Sequence, residues 1–305
     1  MAVAIRLTIS PLLIGTTIVA MSTSLAELAV NMVVVTSDTD TAVIVGNIMG
    51  SNLVNLGLGL GIPAMLMRIT TSTVVMEKEI LLYFAVTALL TGFVLDGRLT
   101  RLEGVLLVGC FGIVLFLLYQ YARREKRTPQ LEETWPQAQH GATQAPAPLS
   151  TTRSLLALLG GLALLVLAAQ LLIAPVSVLA RTLGISPYII GLTVIGIGTS
   201  LPEIAASIQA ARTGHIDLVL GNVFGSNVFN ICIGLGLPMI IKPIRVAPTG
   251  LQDISYINLY GIVLAFILLL EGRITGGKNM INRGGGLVIV ALYGAYLLYK
   301  IVARA

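Results

Sequence analysis

The sequence has few of the charged residues on which soluble proteins depend. Only 11% of its 305 residues are charged, while 56% are hydrophobic, a balance far outside the range of soluble globular domains. The mean hydropathy of +0.92 favours a chain whose solvent is lipid. We therefore expect an integral membrane protein.

Cysteine and histidine are almost absent. Cys110 and Cys232 lie inside apolar stretches, which excludes a disulfide framework and a metal–thiolate cluster. His140 and His215 fall in predicted loops, so an intramembrane nucleophile would have no histidine base. We expect neither an enzyme nor a bound cofactor. The net charge of +5 does not indicate nucleic acid, because the basic residues lie between apolar spans.

Long apolar runs fill most of the chain. Runs of about 20 apolar residues can cross the hydrocarbon core as helices, and about nine such runs occur. This pattern predicts an all-α polytopic membrane protein. The runs lie near residues 10–34, 42–66, 79–95, 102–122, 154–176, 186–211, 217–241, 255–271 and 284–303.

One hydrophilic segment interrupts the apolar runs. Residues 123–152 begin with clustered Arg, Glu and Lys and continue as a mixture of Pro, Gln and Ala without apolar periodicity. Such a composition is typical of disordered linkers. It divides the chain into a first membrane half, 1–122, the linker, and a second membrane half, 153–305.

The two halves repeat one pattern. STSLAE at 22–27 aligns with GTSLPE at 198–203, and GNIMGSN at 46–52 aligns with GNVFGSN at 221–227. An odd number of predicted crossings separates equivalent helices, so the copies run through the membrane in opposite directions. This is the inverted-repeat plan of secondary transporters. The helix predicted at 154–176 has no counterpart before the first copy.

Basic residues predict the orientation, since Lys and Arg accumulate on the cytoplasmic side of a membrane. Placing the linker in the cytoplasm puts most of the 19 Lys and Arg residues inside. We expect a multi-pass protein of the plasma (cell inner) membrane with a cytoplasmic linker. The basic residues then left outside are Arg98, Arg101, Arg181, Lys242, Arg245, Lys300 and Arg304.

Each half carries a glutamate at the same place in an apolar span, Glu27 and Glu203. A charge near the bilayer centre costs roughly 2.5–3.5 kcal/mol on the translocon scale, and intramembrane ionisable groups are functional by default. Taken singly, the nearby hydroxyls and amides would bond to backbone or neighbouring helices, but their clustering indicates ligands. They are Thr23, Ser24, Ser51, Asn52 and Asn55, and Thr199, Ser200, Ser226, Asn227 and Asn230.

Ligands of this kind suit hard cations such as Ca²⁺, whereas transition metals favour His or Cys. Two ionised carboxylates would balance one Ca²⁺, two Na⁺ or two protons, so competing occupancy could couple opposite fluxes. Near Glu203, Gly196, Gly198 and Pro202 should interrupt the helix. No Gly or Pro occupies the equivalent places near Glu27, so we expect a weaker break in the first copy, although Thr23 and Ser24 could still bend the helix by bonding to its backbone.

These motifs resemble the two alpha-repeats of the cation/calcium antiporter superfamily, and within it the sodium/calcium exchangers. The resemblance is closer in the second half than in the first. It implies a ten-helix fold, here without its first helix, in which a two-helix bundle slides against an eight-helix core. It also implies a cation site. The implied ligands are Glu27, Glu203, Thr23, Thr199, Ser51, Ser226, Asn55 and Asn230, and the adjacent Ser24 and Ser200 complete the predicted set.

The resemblance implies exchange of Ca²⁺ for Na⁺ by alternating access. Sodium-coupled members often carry aspartate at the position of Asn230, so H⁺ coupling, with Ca²⁺ or another divalent cation, remains an alternative. A transport-inactive homologue and a channel are further alternatives, although an inverted repeat argues against a channel. Flux without a counter-ion would indicate the channel, and absence of flux the inactive homologue.

Overall fold

The protein is a bundle of helices whose two halves have the same order of elements. The computed structural model describes residues 15–37, 39–71, 73–125, 184–246, 248–274 and 279–302, and part of 160–182. The first-half helices are α1 (Ala20–Thr23), α2 (Leu25–Thr36), α3 (Ala42–Val54), α4 (Gly61–Leu66), α5 (Thr73–Phe93) and α6 (Arg101–Glu125). The second-half helices are α7 (Pro187–Ile190), α8 (Gly196–Thr199), α9 (Leu201–Arg212), α10 (Ile216–Phe229), α11 (Gly236–Ile241), α12 (Pro248–Ile274) and α13 (Arg283–Val302).

Short segments of other helical types join several of these helices. A 3₁₀ turn follows α5 at Val94–Asp96. The π-helical segments are Gly15–Val19, Asn55–Leu60, Gly191–Ile195 and Asn230–Leu235. They occupy equivalent places in the two halves, before each glutamate-bearing helix and after each serine–asparagine motif. π-Helical turns of this kind are frequent at functional sites.

The described helices agree with the predicted membrane spans. Four continuous stretches are long and apolar enough to cross a bilayer, and two bent pairs raise the number to six. Helix α12 covers the span predicted at 255–271, and α13 covers residues 284–302 of the span predicted at 284–303. The span predicted at 154–176 is described only in part, and its described residues are helical. The four stretches are Ala42–Leu66, Glu79–Asp96, Arg101–Gln120 and Leu218–Ile241, and the bent pairs are Thr17–Thr23 with Leu25–Thr36 and Pro187–Thr199 with Leu201–Arg212.

Both bent helices break at a serine, and the two bends are nearly equal. The segments on either side of Ser24 meet at 42°, and those on either side of Ser200 meet at 40°. The prediction of a weaker first break is therefore wrong. Pro202 lies in the first turn of α9, where the missing N–H would have no intrahelical partner, so it accommodates the break without causing it.

Features that both halves share explain the equal bends. The threonine before each serine bonds back to its own helix, from Thr23 Oγ1 to the Val19 carbonyl at 3.1 Å and from Thr199 Oγ1 to the Ile195 carbonyl at 3.0 Å. Such back-bonding bends helices. A π-helical segment also precedes the break by one short helical turn in each half.

Glycine allows the two halves to pack backbone against backbone. A Cβ atom on Gly50 would lie 2.1 Å from the Leu192 carbonyl oxygen, and one on Gly191 would lie 2.4 Å from that of Val43. Helix α3 of the first half therefore lies directly on the π-helical segment that opens the second bent helix. In mirror fashion, α10 packs on the π-helical segment that opens the first.

Two antiparallel strand pairs, which the sequence did not predict, tie the halves together. Strand β1 (Ile69–Thr71) pairs with β4 (Asn279–Ile281), and β2 (Arg98–Leu99) pairs with β3 (Ile244–Arg245). Helices α5 and α12 each run from one pair to the other, so the pairs lie at opposite ends of the bundle. We call the β1–β4 side the linker end, because α6 runs from β2 toward the predicted linker, and the β2–β3 side the distal end.

Polar residues near the ends of α6 and α13 belong to these helices. Residues 123–125 of the predicted linker belong to α6, and the rest of it, with His140, lies outside the described residues. Lys300, which the orientation leaves among the outside basic residues, lies near the end of the predicted span and of α13, where it is only 5% exposed and forms an ion pair with buried Asp253 of α12. Tyr188 also donates a hydrogen bond to Asp253 at 2.6 Å.

Candidate cation-binding site

Glu27 and Glu203 lie in the first turn of the helix that follows each break, in α2 and α9. Both side chains are completely buried. Backbone N–H groups in the first turn of a helix have no intrahelical acceptor, and the helix dipole places partial positive charge there. The breaks therefore give each buried carboxylate a helix terminus that favours its negative charge.

The two glutamates are held crosswise between the halves. Ser24 Oγ donates to Glu203 Oε1 at 2.9 Å, and Ser200 Oγ donates to Glu27 Oε1 at 3.2 Å. Each hydroxyl thus serves the carboxylate of the other repeat. The carboxylates therefore lie at the interface of the repeats. The hydrogen bond to each carboxylate depends on the position of the other half.

Several buried oxygens here have no hydrogen-bond donor among the described residues. They include the second carboxylate oxygens of Glu27 and Glu203 and the amide oxygens of Asn55 and Asn230. Buried polar atoms ordinarily have partners, and buried charges are either paired or coordinate a metal. Two carboxylate and two amide oxygens that lack donors are the ligands expected for a hard cation.

Four asparagines hold the facing helices together through reciprocal bonds. Asn55 Nδ2 donates to Asn227 Oδ1 at 3.1 Å, and Asn230 Nδ2 donates to Asn52 Oδ1 at 3.2 Å. Asn52 and Asn227 also donate to each other's backbone carbonyls. The amide nitrogens of Asn55 and Asn230 are thus occupied by the opposite repeat, which leaves their oxygens for a ligand. Asn52 and Asn227 hold them in this orientation.

Three of the four remaining predicted hydroxyl residues lie near the carboxylates, and the fourth departs from the symmetry of the repeats. Thr23 lies near Glu203, while Thr199 and Ser51 lie near Glu27. Ser51 Oγ and Thr199 Oγ1 are also 3.3 Å apart. The equivalent hydroxyl, that of Ser226, has no hydrogen-bond partner among the described residues. Of the ten predicted residues, nine are buried in the bundle and Thr23 is half-buried.

An asparagine that sequence reasoning missed supports the Glu27 side. Asn31 lies one turn after Glu27 and donates from Nδ2 to the Gly234 carbonyl at 2.9 Å. Its Oδ1 accepts from Asn47 Nδ2 at 2.9 Å, and Asn47 Oδ1 accepts from Thr199 at 3.2 Å. A continuous chain of bonds thus connects a π-helical carbonyl to a predicted ligand. A buried asparagine four residues after the glutamate was the available signal.

The second half supports its glutamate with a shorter side chain. Ser207 occupies the place equivalent to Asn31 and accepts a 3.0 Å bond from Asn222 Nδ2, which also contacts the Glu203 carbonyl oxygen at 3.1 Å. Serine is too short to repeat the reach of Asn31 to the opposite half. The two sides of the site are therefore similar but not identical.

No cluster of three or more His, Cys, Asp or Glu residues that could hold a metal occurs among the described residues. Cys110 and Cys232 are free thiols, and His215 lies at the start of α10. A cation bound between Glu27 and Glu203 would thus take its other ligands from neutral oxygens. That limits the protein's negative charge at the site to the two carboxylates.

Comparison with known proteins gives matches over most of the chain. A family model described as "Sodium/calcium exchanger protein" matches residues 1–120 and 153–302. The putative antiporter CaxA of Alkalimonas amylolytica is 36% identical, over 97% of this chain and 89% of its own length. The sodium/calcium exchanger MaX1 of Methanosarcina acetivorans is 29% identical, over 97% and 90%.

Solved structures give a match of similar extent. The sodium-calcium exchanger NCX_Mj, soaked with Na⁺ and Sr²⁺, superposes with a TM-score of 0.69 at 26% identity. The superposition covers 97% of this chain and 89% of that protein. The similarity therefore extends through both halves of the bundle.

Proposed function

Because this chain belongs to the sodium/calcium exchanger protein family, we propose that it exchanges Ca²⁺ for Na⁺ across its membrane through a site shared by Glu27 and Glu203. The family consists of exchangers and antiporters, so the chain is a transporter and not an enzyme. Its membrane-embedded, mostly helical fold is that of the exchanger it superposes on.

The crosswise arrangement of the glutamates carries this proposal. Each carboxylate is fully buried, takes a hydrogen bond from the opposite repeat and keeps one oxygen without a donor. Two such groups are costly inside a membrane protein unless a cation or protons neutralise them. The oxygens of Asn55 and Asn230 complete a coordination set of the type that Ca²⁺ accepts.

Charge balance at this site suggests how the fluxes are coupled. The two carboxylates carry a charge of −2, which one Ca²⁺ or two Na⁺ neutralises. Since both ions use the same oxygens, either one must leave before the other binds. A carrier that crosses the membrane only with its carboxylates neutralised would then exchange one species for the other.

The bent helices suggest the moving part of an alternating-access cycle. Glu27 and Glu203 each follow directly on a break at which a helix turns by about 40°, as at Ser24 and Ser200. Since each serine bonds to the other repeat's glutamate, a shift of one half changes both sides of the site together. We expect such a shift to open the site to one side of the membrane at a time.

Proton coupling is the alternative that one observation favours. Asn230 is neutral, and it donates its amide to Asn52, so Glu27 and Glu203 are the acidic groups of the proposed site. Two protons would neutralise this pair as fully as two Na⁺. An exchanger of H⁺ for Ca²⁺ or another divalent cation would therefore use the same residues.

The proposed setting follows from the distribution of basic residues. We place the protein in the plasma (cell inner) membrane with the linker end in the cytoplasm, because most Lys and Arg residues then lie inside. The site would open to each side in turn, so that Ca²⁺ and Na⁺ cross the membrane in opposite directions.

Uptake of ⁴⁵Ca²⁺ into proteoliposomes tests the proposal. The purified chain is reconstituted into vesicles loaded with Na⁺ and diluted into Na⁺-free medium, and a parallel set carries a pH gradient of equal size. Glu203→Gln removes one carboxylate of the site. Glu103→Gln is the matched control, because Glu103 lies near the surface and caps α6 through Thr100, which glutamine also does.

The proposal expects uptake that requires the Na⁺ gradient, is lost in Glu203→Gln and persists in Glu103→Gln. Uptake driven only by the pH gradient would establish the proton-coupled alternative. Na⁺-driven uptake that survives in Glu203→Gln would contradict the shared site.

A further inference from the structure

Four basic residues form a surface patch at the distal end. Arg98 of β2 and Arg245 of β3 are direct partners in the antiparallel register, and both are exposed. Like charges directly opposite on neighbouring strands repel each other. We call Arg98, Arg245, Arg101 and Lys242 the distal basic patch.

Backbone contacts build this patch. Arg101 is the first residue of α6, and its guanidinium donates to the Ile241 carbonyl at 3.1 Å. That bond places Arg101 beside Lys242, which follows α11 directly. The β2–β3 pairing then places the remaining two arginines next to them. All four side chains are exposed.

The nearby carboxylates are engaged with backbone. Asp96 Oδ1 accepts from the Arg98 backbone N–H at 2.9 Å, and Glu103 Oε2 accepts from the Thr100 N–H at 2.7 Å. The ion pair found within the described residues is that of Lys300 with Asp253. The four cations of the patch therefore have no anionic partner in the described part of the chain.

An apolar surface continues from the patch along the bundle. Leu102, Val105 and Leu106 on the first turns of α6 are 69%, 52% and 50% exposed, and Leu95 is 75% exposed. In a membrane protein such side chains face lipid. Basic groups above an apolar, lipid-facing surface lie at the level of phospholipid headgroups.

The linker end provides an internal comparison. There the equivalent strand pair matches Ile69 with Ile281 and Thr70 with Met280, so the cross-strand pair is uncharged. The arginine pair is thus a property of the distal end and not of the repeated architecture. Basic residues are also less expected there, because they normally accumulate on the cytoplasmic side.

We propose that the distal basic patch binds the headgroup of an anionic glycerophospholipid, with its phosphate between Arg98 and Arg245 and its acyl chains along the apolar surface of α6. Arginine pairs with phosphate through two parallel N–H bonds. A phosphate in this position removes the repulsion between the opposed guanidinium groups. Arg101 and Lys242 would contact the other headgroup oxygens.

Native mass spectrometry of the purified full-length chain tests the proposal. The protein is titrated with phosphatidylglycerol and, separately, with phosphatidylcholine of the same acyl chains. Arg98→Gln/Arg245→Gln removes the cross-strand charges. The matched control is Arg212→Gln/Arg283→Gln, which removes two charges from exposed residues outside the patch. Thermal unfolding shows that each variant is folded.

We expect the unchanged chain and the control to bind phosphatidylglycerol about tenfold more tightly than phosphatidylcholine, and the patch variant to lose that preference. Glycerol 3-phosphate should not displace the lipid. Equal preference in the patch variant and the control, or no preference in the unchanged chain, would overturn the proposal. Displacement by glycerol 3-phosphate would assign the patch to soluble phosphate esters instead.

Should the patch variant not fold, Arg98→Lys/Arg245→Lys keeps the charge but loses the bidentate geometry. That variant should weaken phosphatidylglycerol binding partially, and unchanged binding would count against a phosphate held between the two guanidinium groups. Both readouts measure lipid and not Ca²⁺, so they are independent of the transport proposal.

Discussion

Ser24 Oγ lies 2.9 Å from Glu203 Oε1, so a hydroxyl of the first repeat holds the carboxylate of the second. Ser200 does the same for Glu27 at 3.2 Å. Both serines lie at the break of a bent helix. The breaks thus place the serine of each repeat within hydrogen-bond distance of the glutamate of the other repeat. The proposed site lies where the two halves meet.

Replacing either serine should weaken cation binding without abolishing it. A hydrogen bond to a charged group contributes about 1.5–3 kcal/mol, so Ser24→Ala should weaken Ca²⁺ binding roughly 10- to 100-fold. Ser200→Ala should give a similar loss. Ca²⁺ binding by isothermal titration calorimetry measures both. Ser22→Ala is the control, because within the described residues the exposed Ser22 hydroxyl bonds to the Val19 carbonyl and to no residue of the site. A Ser24→Ala affinity equal to this control would show that the crosswise bond is unimportant.

Bulk at the contact between the halves should destabilise the bundle. A Cβ on Gly50 would lie 2.1 Å from the Leu192 carbonyl oxygen, and overpacking of this kind typically costs about 1–3 kcal/mol. Gly50→Ala should therefore lower the unfolding temperature in detergent. A Cβ on Gly109 would have nothing within 4 Å. Gly109→Ala should therefore raise the free energy of unfolding by up to about 1 kcal/mol through helix propensity. A tolerated Gly50→Ala would mean that the halves pack less closely than described.

The buried ion pair of Lys300 and Asp253 should be costly to break and cheaper to remove. Lys300→Met leaves a completely buried carboxylate without its cation, which costs about 3–5 kcal/mol. In Lys300→Met/Asp253→Asn no charge remains, and the amide oxygen still accepts the hydrogen bond of Tyr188. Thermal unfolding should therefore show a large loss for the single variant and substantial recovery for the double variant. Similar values for the two variants would contradict this role of the pair.

Shortening Asn31 should disturb the Glu27 side of the site. Asn31→Ser installs the residue found at the equivalent place, Ser207, and loses the bond to the Gly234 carbonyl. A net loss of about 1 kcal/mol corresponds to an affinity for Ca²⁺ lower by roughly fivefold. Asn258→Ser makes the same change at an amide that bonds to Thr91, and it should leave Ca²⁺ affinity unchanged. Equal effects of the two variants on Ca²⁺ affinity would show that Asn31 does not support the Glu27 side of the site.

The spans and the repeat could be predicted from sequence because both depend only on the types of residue and their order along the chain. Apolar runs of bilayer length and a repeated glutamate need no knowledge of packing, and they located Glu27 and Glu203. The sequence could not show that Ser24 bonds to Glu203 and not to Glu27, because that choice depends on how the halves cross. Asn31 was missed because its acceptor, the Gly234 carbonyl, is a backbone atom far along the chain.

One prediction failed because local residue types were weighted above context, and one buried partner was not foreseen. Pro202 suggested a stronger break in the second half, but a first-turn proline fits a helix, and back-bonded threonines bend both helices equally. The count of basic residues left Lys300 outside without a partner, whereas Asp253 on another helix forms a buried ion pair with it. The partner of a charge in a bundle is not visible in the residues next to it.

Equilibrium binding of ⁴⁵Ca²⁺ to the purified protein tests the two-glutamate site most directly. The measurement compares Glu27→Gln and Glu203→Gln with Glu103→Gln, and Na⁺ is added as competitor. Removing one member of a buried charged set costs at least about 2 kcal/mol, so each site variant should bind at least roughly thirtyfold more weakly, while Glu103→Gln binds normally and Na⁺ displaces the ion. Normal binding by either site variant would contradict a site that both glutamates share.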